Sequence, residues 1–337
     1  MEPPFVIPLF IPHRGCPHDC LFCNQQEISG VRRQAADRLD VEAQIRDWLR
    51  HQGGRQEVQV AFYGGSFTCL PEEEQRSLLA AVQPFLDSGK VDSLRCSTRP
   101  DCLDDSVCES LRAHRVATVE LGVQSLDDRV LQRALRGHSA RDAEKAVRLL
   151  QKHGISVGVQ LMVGLPAETR FSFLQTVAKT VELGPDFVRL YPCLVVKDSG
   201  LEKLYRQGRF TPLSLGASLV RCRFAWERFE KAGIPVVRMG LQPSKSLEKS
   251  ILAGPYHPAF GELVRSRQWL QRIRGQLAAL GDAGSLEVRV NPADMSAVVG
   301  QKRVNLERLC QLGFAGRFVL VADKKIQRGC VEYAVGQ

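Results

Sequence analysis

The sequence predicts an α/β protein, an open, partial (β/α)6 barrel over residues 1–240 followed by a small basic α+β region over residues 241–337. Three observations point there. Apolar runs of strand length alternate with helix-length amphipathic stretches. The strand runs are apolar almost throughout, as in a parallel sheet covered by helices. Near residue 240 this rhythm stops and turn residues take over.

The first extended run, "PFVIPLFI", leads directly into a cysteine-rich loop, and "LDVEAQIRDWLRHQ" follows with helical spacing up to Gly53-Gly54. "EVQVAFYGG" reads as a strand stopped by paired glycines. "PEEEQRSLLAAVQPFL" reads as a helix with Pro71 and acidic residues in its first turn, where they complement the helix dipole. Strand and helix then alternate through "SLRCSTR" and "LDDSVCESLRAH", "ATVELGVQ" and "ARDAEKAVRLLQKHG", "SVGVQLMVGLP" and "RFSFLQTVAKTVELG", and "FVRLYP" with helical segments at 215–232. Six units fall short of the eight of a closed TIM barrel, so a TIM-like but open barrel fits, with a doubly wound sheet as the alternative. In either arrangement ligands belong at the carboxyl ends of the strands. The cysteine loop, Gly64-Gly65, Gln124 and Gly164 all fall at such ends.

Beyond residue 240, "QPSKSLEKSILAGPYHPAFGELV" is turn-rich. A basic helix at 262–280, a strand "SLEVRVN", a helix at 293–312 and strands "RFVLVA" and "VEYAV" are expected after it. Lys and Arg exceed Asp and Glu by 46 to 37, a surplus compatible with a polyanionic partner such as RNA. The N-terminal "MEPPFVIPLFIPHRG" lacks a basic leader and a long apolar core, and no apolar stretch reaches membrane-spanning length. A cytoplasmic protein without a membrane partner is expected. In that reducing setting Cys69, Cys96, Cys102, Cys108, Cys193, Cys222, Cys310 and Cys330 read as packing residues rather than disulfides.

"HRGCPHDCLFCNQ" is different. It places Cys16, Cys20 and Cys23 within eight positions. A structural zinc site closes a tetrahedron and would need a fourth ligand. His13 is one candidate, and His18 another that would strain the loop. Three thiolates suit a four-iron cluster, held one thiolate per iron, with one iron left for a non-protein ligand. Zinc stays as the alternative.

The CxxxCxxC spacing, with Phe22 before the last cysteine and a βα array behind it, resembles the radical S-adenosylmethionine (SAM) superfamily. The resemblance implies a 4Fe-4S cluster on Cys16, Cys20 and Cys23. Its open iron would chelate the amino and carboxylate groups of SAM, and reduction would cleave SAM to a 5′-deoxyadenosyl radical. It also implies a reductant of the flavodoxin or ferredoxin class. The glycine motif "FYGGSF" would hold the methionyl ammonium through Gly64 and Gly65, with Ser66 beside them. "TVELGVQSLDDRVLQRALRGH" resembles the group shared by the Elongator catalytic subunit and oxygen-independent coproporphyrinogen oxidases. By that resemblance Gln124 meets the ribose, Arg136 the methionyl carboxylate, and Gln160 the ribose again. Relatives often carry glutamate where this chain has Ser97, so a contact there is expected to be weaker.

From "STRPDCLDD" to "LYPCLVVKDSGLEKLYRQGRFTPLS" the resemblance narrows to the Elongator catalytic subunit, which modifies the wobble uridine of tRNA. That family carries an acetyltransferase domain. Here only about ninety residues follow the barrel, without a recognisable acetyl-CoA phosphate loop. "MSAVVGQKRVNLERL" resembles a KH-type RNA-binding turn. Gly300, Lys302 and Arg303 would form the loop, Asn305 would contact a base or sugar, and Arg303 replaces the usual second glycine. A radical SAM enzyme acting on tRNA or another RNA is therefore expected. The alternatives are a relative acting on a tetrapyrrole-like small molecule and a zinc-stabilised RNA-binding protein. Tyr191, Lys197 and Tyr205 are candidate residues of the barrel mouth.

Overall fold

The computed structural model describes residues 4–11, 15–24, 40–54, 57–281 and 284–336, which form two compact units. The first is Met1–Ser218 with Ala225–Tyr256, the second Leu219–Phe224 with His257–Gln337.

The first unit is built on β1 (Phe5–Phe10), β2 (Val58–Tyr63), β3 (Ser93–Thr98), β4 (Val116–Gln124), β5 (Ser156–Val163) and β6 (Phe187–Pro192). A two-residue strand, β7 (Val195–Val196), precedes β8 (Val236–Met239), and β9 (Ile251–Ala253) pairs antiparallel with β7. The main sheet has seven strands in the order β1-β2-β3-β4-β5-β6-β8, every neighbouring pair parallel. Strictly sequential order is the winding of a barrel. A doubly wound sheet would reverse direction partway across. The partial, TIM-like barrel expected from sequence is therefore the observed fold, with one strand more than the six units anticipated. "VVRM" is too short and too exposed to read as a barrel strand by its apolar pattern alone.

Local chemistry sets the helix boundaries. Asp40 caps 41–49 by accepting from the Ala43 amide. Ser139 and Asp142 form a capping box before 140–152, and Thr169 and Ser172 form another before 170–183. Ile7, Leu9, Val60, Leu94, Val119, Leu121, Val157, Val159 and Leu190 are fully shielded and tie successive strands to their helices. No helix among the described residues is long and apolar enough to cross a membrane.

The second unit packs helix Phe260–Ala279 against β10 (Ser285–Val290), β11 (Phe318–Ala322) and β12 (Val331–Gly336). β10 is central, parallel to β11 and antiparallel to β12. The helix expected at 293–312 is broken into Met295–Val299 and Val304–Leu309 by a turn at Gly300–Arg303.

Two expectations about cysteine are corrected. Cys69 and Cys102 form a disulfide, because the two short helical turns that carry them bring their Cα atoms to 5.3 Å. Cys310 and Cys330 are exposed rather than packed, while Cys96, Cys108, Cys193 and Cys222 are buried thiols.

Candidate functional site

At the carboxyl ends of the barrel strands lies a cavity of about 590 Å³. Its lining includes Cys16, Cys20, Cys23 and Phe22, then Gly64, Gly65 and Ser66 after β2, then Gln124, Arg136 and Gln160. All ten cofactor-site residues expected from sequence thus meet in one chamber.

The cysteine loop reaches it because the barrel grips the loop from several sides. Leu21 donates to the Ala134 carbonyl at 3.1 Å, Leu201 donates to the Leu21 carbonyl at 2.7 Å, and Asn24 Nδ2 donates to the Lys197 carbonyl at 2.8 Å. Two glycines permit close approach. A Cβ on Gly15 would fall 2.3 Å from the Ser66 carbonyl, and one on Gly137 would fall 2.3 Å from the His18 ring. His18 therefore lies against Gly137, and His13 lies outside the described residues. Among the described residues, no three His, Cys, Asp or Glu side chains are drawn around one point that could hold a single ion.

The thiols are near enough to repel one another when ionised. Burial, then Cys20 and Cys16, push the Cys23 thiol up to about 12, and burial likewise raises Cys16. Three thiolates here require a cationic group among them, and an iron–sulfur cluster is one that accepts cysteine sulfur. The donor set fits that group.

Arg136 is buried, and each of its three nitrogens makes one contact. Nε donates to His138 Nε2 at 3.1 Å, Nη1 to the Cys20 sulfur at 3.3 Å, and Nη2 to the Gly122 carbonyl at 2.5 Å. It faces the cysteine loop and lines the shared cavity. Burial first, and Arg136 second, depress His138 to about 4, so it is neutral and can accept from Arg136. Arg99 supports this edge. Its guanidinium binds Asp101 at 2.8 and 2.9 Å and the Arg136 carbonyl at 2.7 Å. Gln124 ends β4 at φ 70°, a left-handed conformation that is costly for a side chain bearing a Cβ. Ser97 lines the cavity with its hydroxyl 3.4 Å from the Phe62 carbonyl.

Sequence reasoning missed the ionic layer across the barrel. The Glu120 carboxylate is wholly buried. It receives Tyr63 Oη at 2.9 Å, Arg95 Nη1 at 3.1 Å, Arg189 Nη2 at 2.8 Å and Gln160 Nε2 at 3.3 Å. Burial, the largest single influence, would favour a neutral Arg189, but Glu120 together with Tyr191 and Tyr63 outweighs it and holds the guanidinium charged. Burial and Glu120 together keep Tyr63 a phenol. The signal lay in the sequence as single charges inside apolar strands, "VELGVQ", "SLRCST" and "FVRLYP". Of the candidate mouth residues Tyr191 lines the cavity, and Lys197 and Tyr205 are not among its lining residues.

In the second unit, Lys302 and Arg303 are exposed, both left-handed at φ 51° and 63°, while Gly300 is buried. Asn305 corrects an expectation. It is 3% exposed, and its Nδ2 lies 2.9–3.2 Å from Ser266 O and Oγ, Ala297 O and Val298 O. An amide satisfied internally in this way braces the turn and cannot also read a base or sugar.

The chain is similar to several known proteins. Over 210 residues the chain is 30% identical to an uncharacterized protein of Methanocaldococcus jannaschii, covering 59% of this chain and 64% of that protein. It is 32% identical over 161 residues to the tRNA uridine(34) acetyltransferase of Methanocaldococcus infernus, covering 46% of this chain and 30% of the relative. The solved structure of the archaeal Methanocaldococcus infernus Elp3, lacking its first 46 residues, superposes with TM-score 0.62 at 21% identity. That match covers 80% of this chain and 63% of that one and speaks to fold alone. The chain thus spans less than two thirds of each of these proteins. The radical SAM superfamily profile matches residues 10–179, and that of the Radical_SAM C-terminal domain matches 185–271. With half its length covered by the first profile, the chain belongs to the radical SAM superfamily of enzymes.

Proposed function

We propose that Cys16, Cys20 and Cys23 hold a 4Fe-4S cluster beside a SAM site formed by Gly64, Gly65, Ser66, Gln124 and neighbouring residues, and that the enzyme modifies RNA, with tRNA as the leading candidate. A single observation carries the cofactor reading: three thiols from one loop share a cavity with the ends of β2, β4 and β5. Held by Cys16, Cys20 and Cys23 and reduced by an external one-electron donor of the flavodoxin or ferredoxin class, such a cluster would supply the electron for reductive cleavage of SAM to a 5′-deoxyadenosyl radical. The chain's own residues prepare the chamber for this. Gly64 and Gly65 offer backbone without side chains, suiting close approach of an ammonium group. Gln124 offers both a donor and an acceptor to ribose hydroxyls. Arg136 orients the Cys20 sulfur, and Phe22 packs into the apolar group of Val130, Ala134, Leu165 and Leu201, limiting water.

The RNA reading draws on the tRNA-modifying relative and on the exposed basic turn at Lys302 and Arg303. Anaerobic reconstitution with iron and sulfide tests the first half. Expected are a 4Fe-4S spectrum and SAM cleavage under dithionite, both lost in Cys20→Ala. Titration with total tRNA across salt concentrations tests the second, since phosphate contacts make affinity fall steeply with salt. Cleavage without salt-dependent tRNA binding would leave the enzyme and remove the RNA.

A further inference from the structure

The cavity wall carries a cation that the chemistry above does not use. Arg238 on β8 lines the chamber beside Arg189 on β6, and their Cα atoms are register partners. Like charges opposite one another on neighbouring strands are unfavourable unless an anion lies between them. The wall supplies too little negative charge for this. Glu120 already faces Arg95 and Arg189, two guanidiniums on one carboxylate. Arg99 is matched by Asp101. Arg238 has no carboxylate partner among the described residues. Its Nε donates to the Gly240 carbonyl at 3.2 Å, and its Nη2 donates to Gln242 Oε1.

That last contact fixes more than the arginine. Because Gln242 presents its oxygen to Arg238, its amide N–H2 group is left as a donor next to the guanidinium. Gln242 also lines the cavity. One arginine face and one amide then offer adjacent N–H donors with no acceptor of their own. Two anionic oxygens match that pattern. The position agrees, since ligands of barrel enzymes meet residues at the carboxyl ends of strands.

We infer that Arg238 and Gln242 form an anion subsite that holds a phosphate or carboxylate group of the substrate in the chamber shared with the cysteine loop. The inference rests on the reading of this cavity as the reaction chamber, and it narrows the substrate to one carrying an anionic oxygen group within the barrel. A phosphodiester of RNA and a carboxylate of a small molecule share this chemistry.

Calorimetric titration of the full reconstituted chain, with SAM present and no reductant, separates the two sources. The probes are the dinucleoside monophosphate UpU and malonate. Binding of UpU that weakens about tenfold in Arg238→Gln assigns a phosphodiester, and the same response to malonate alone assigns a carboxylate. Gln242→Glu gives Arg238 an internal counter-ion without removing it and is expected to weaken the same probe by as much. Arg238→Lys retains the charge and should recover part of the affinity. If neither probe binds, or if each binds wild type, Arg238→Gln and Gln242→Glu alike, there is no such subsite. Failure of the underlying reading shows separately, as absence of SAM cleavage by the wild-type enzyme under dithionite.

Discussion

Arg136 donates to the sulfur of Cys20 at 3.3 Å while His138 holds its Nε at 3.1 Å, so the arginine is aimed at the cysteine loop by a neutral imidazole. Hydrogen bonds to cluster sulfurs stabilise the more negative, reduced state. Arg136→Met is therefore expected to lower the midpoint potential of the reconstituted cluster, read by an EPR-monitored redox titration. An arginine devoted to the methionyl carboxylate would instead leave the midpoint in place and weaken SAM binding alone.

His138 itself gives a pH signature. Its folded value of about 4 lies below the ordinary 6.5, chiefly through burial, so the folded chain keeps it neutral where the unfolded chain protonates it. Between about pH 6.5 and 4 the unfolded state binds the extra proton, and stability falls as pH falls. The loss across that window is about 3 kcal/mol. Urea unfolding of the iron-free chain at pH 7 and pH 4.5 should show this slope in wild type, and His138→Asn should remove most of it. A slope unchanged in the variant would place the imidazole in water.

Glu120 is the hinge of the ionic layer, with Arg95, Arg189 and Tyr63 all directed at it. Glu120→Gln leaves two partly buried guanidiniums without a counter-charge, a loss expected to cost up to about 3–5 kcal/mol. Circular dichroism melts would report it as a large drop in Tm. A drop no greater than that of an exposed Glu-to-Gln change such as Glu72→Gln would mean water screens the layer.

How far all this could be read in advance depended on the kind of interaction. Strand identity followed from apolar continuity, and the cavity could be assembled from strand ends because parallel winding puts them on one side. Cys16, Gly64 and Gln124 were legible for that reason, whereas Gln160, inside β5, was expected only from the family resemblance. Glu120, Arg95 and Arg189 were not, since their meaning is a cross-strand relation that no single strand displays. Asn305 failed similarly, because its place on the turn could be read but the Ser266, Ala297 and Val298 acceptors that occupy it come from other segments. The strand carrying Arg238 was missed because four residues with little burial give no periodic signal.

The Cys69–Cys102 disulfide joins the turn after the glycine motif to the turn after β3, and the Ser66 hydroxyl lies 2.8 Å from Cys69. Thiol titration of the denatured, iron-free chain should count nine thiols before reduction and eleven after. Closing a loop across a separation of 33 residues stabilises by about 3–4 kcal/mol in the chain-entropy account, so Cys69→Ser should lose roughly that much under oxidising conditions and nothing when wild type is reduced. Eleven thiols without reductant would show that the pair stays open.

The turn at Gly300–Arg303 places two successive side-chain-bearing residues in the left-handed region, at a cost of roughly 1–2 kcal/mol each. Asn305 holds that geometry from below, so Lys302 and Arg303 stay exposed with their charges outward. Strain kept in an exposed basic turn marks the turn as a functional candidate, and phosphate contact is the role that substitution at Lys302 and Arg303 tests. Arg303→Gly should therefore stabilise the second unit by about 1 kcal/mol while weakening RNA binding. Replacing Lys302 and Arg303 together by alanine should reduce the slope of log affinity against log salt for single-stranded RNA by about 1.4, some 0.7 for each lost phosphate contact. The weakening should be nearly uniform across sequences, because backbone contacts carry no base information. If the slope is untouched, the turn is strained for some purpose other than RNA.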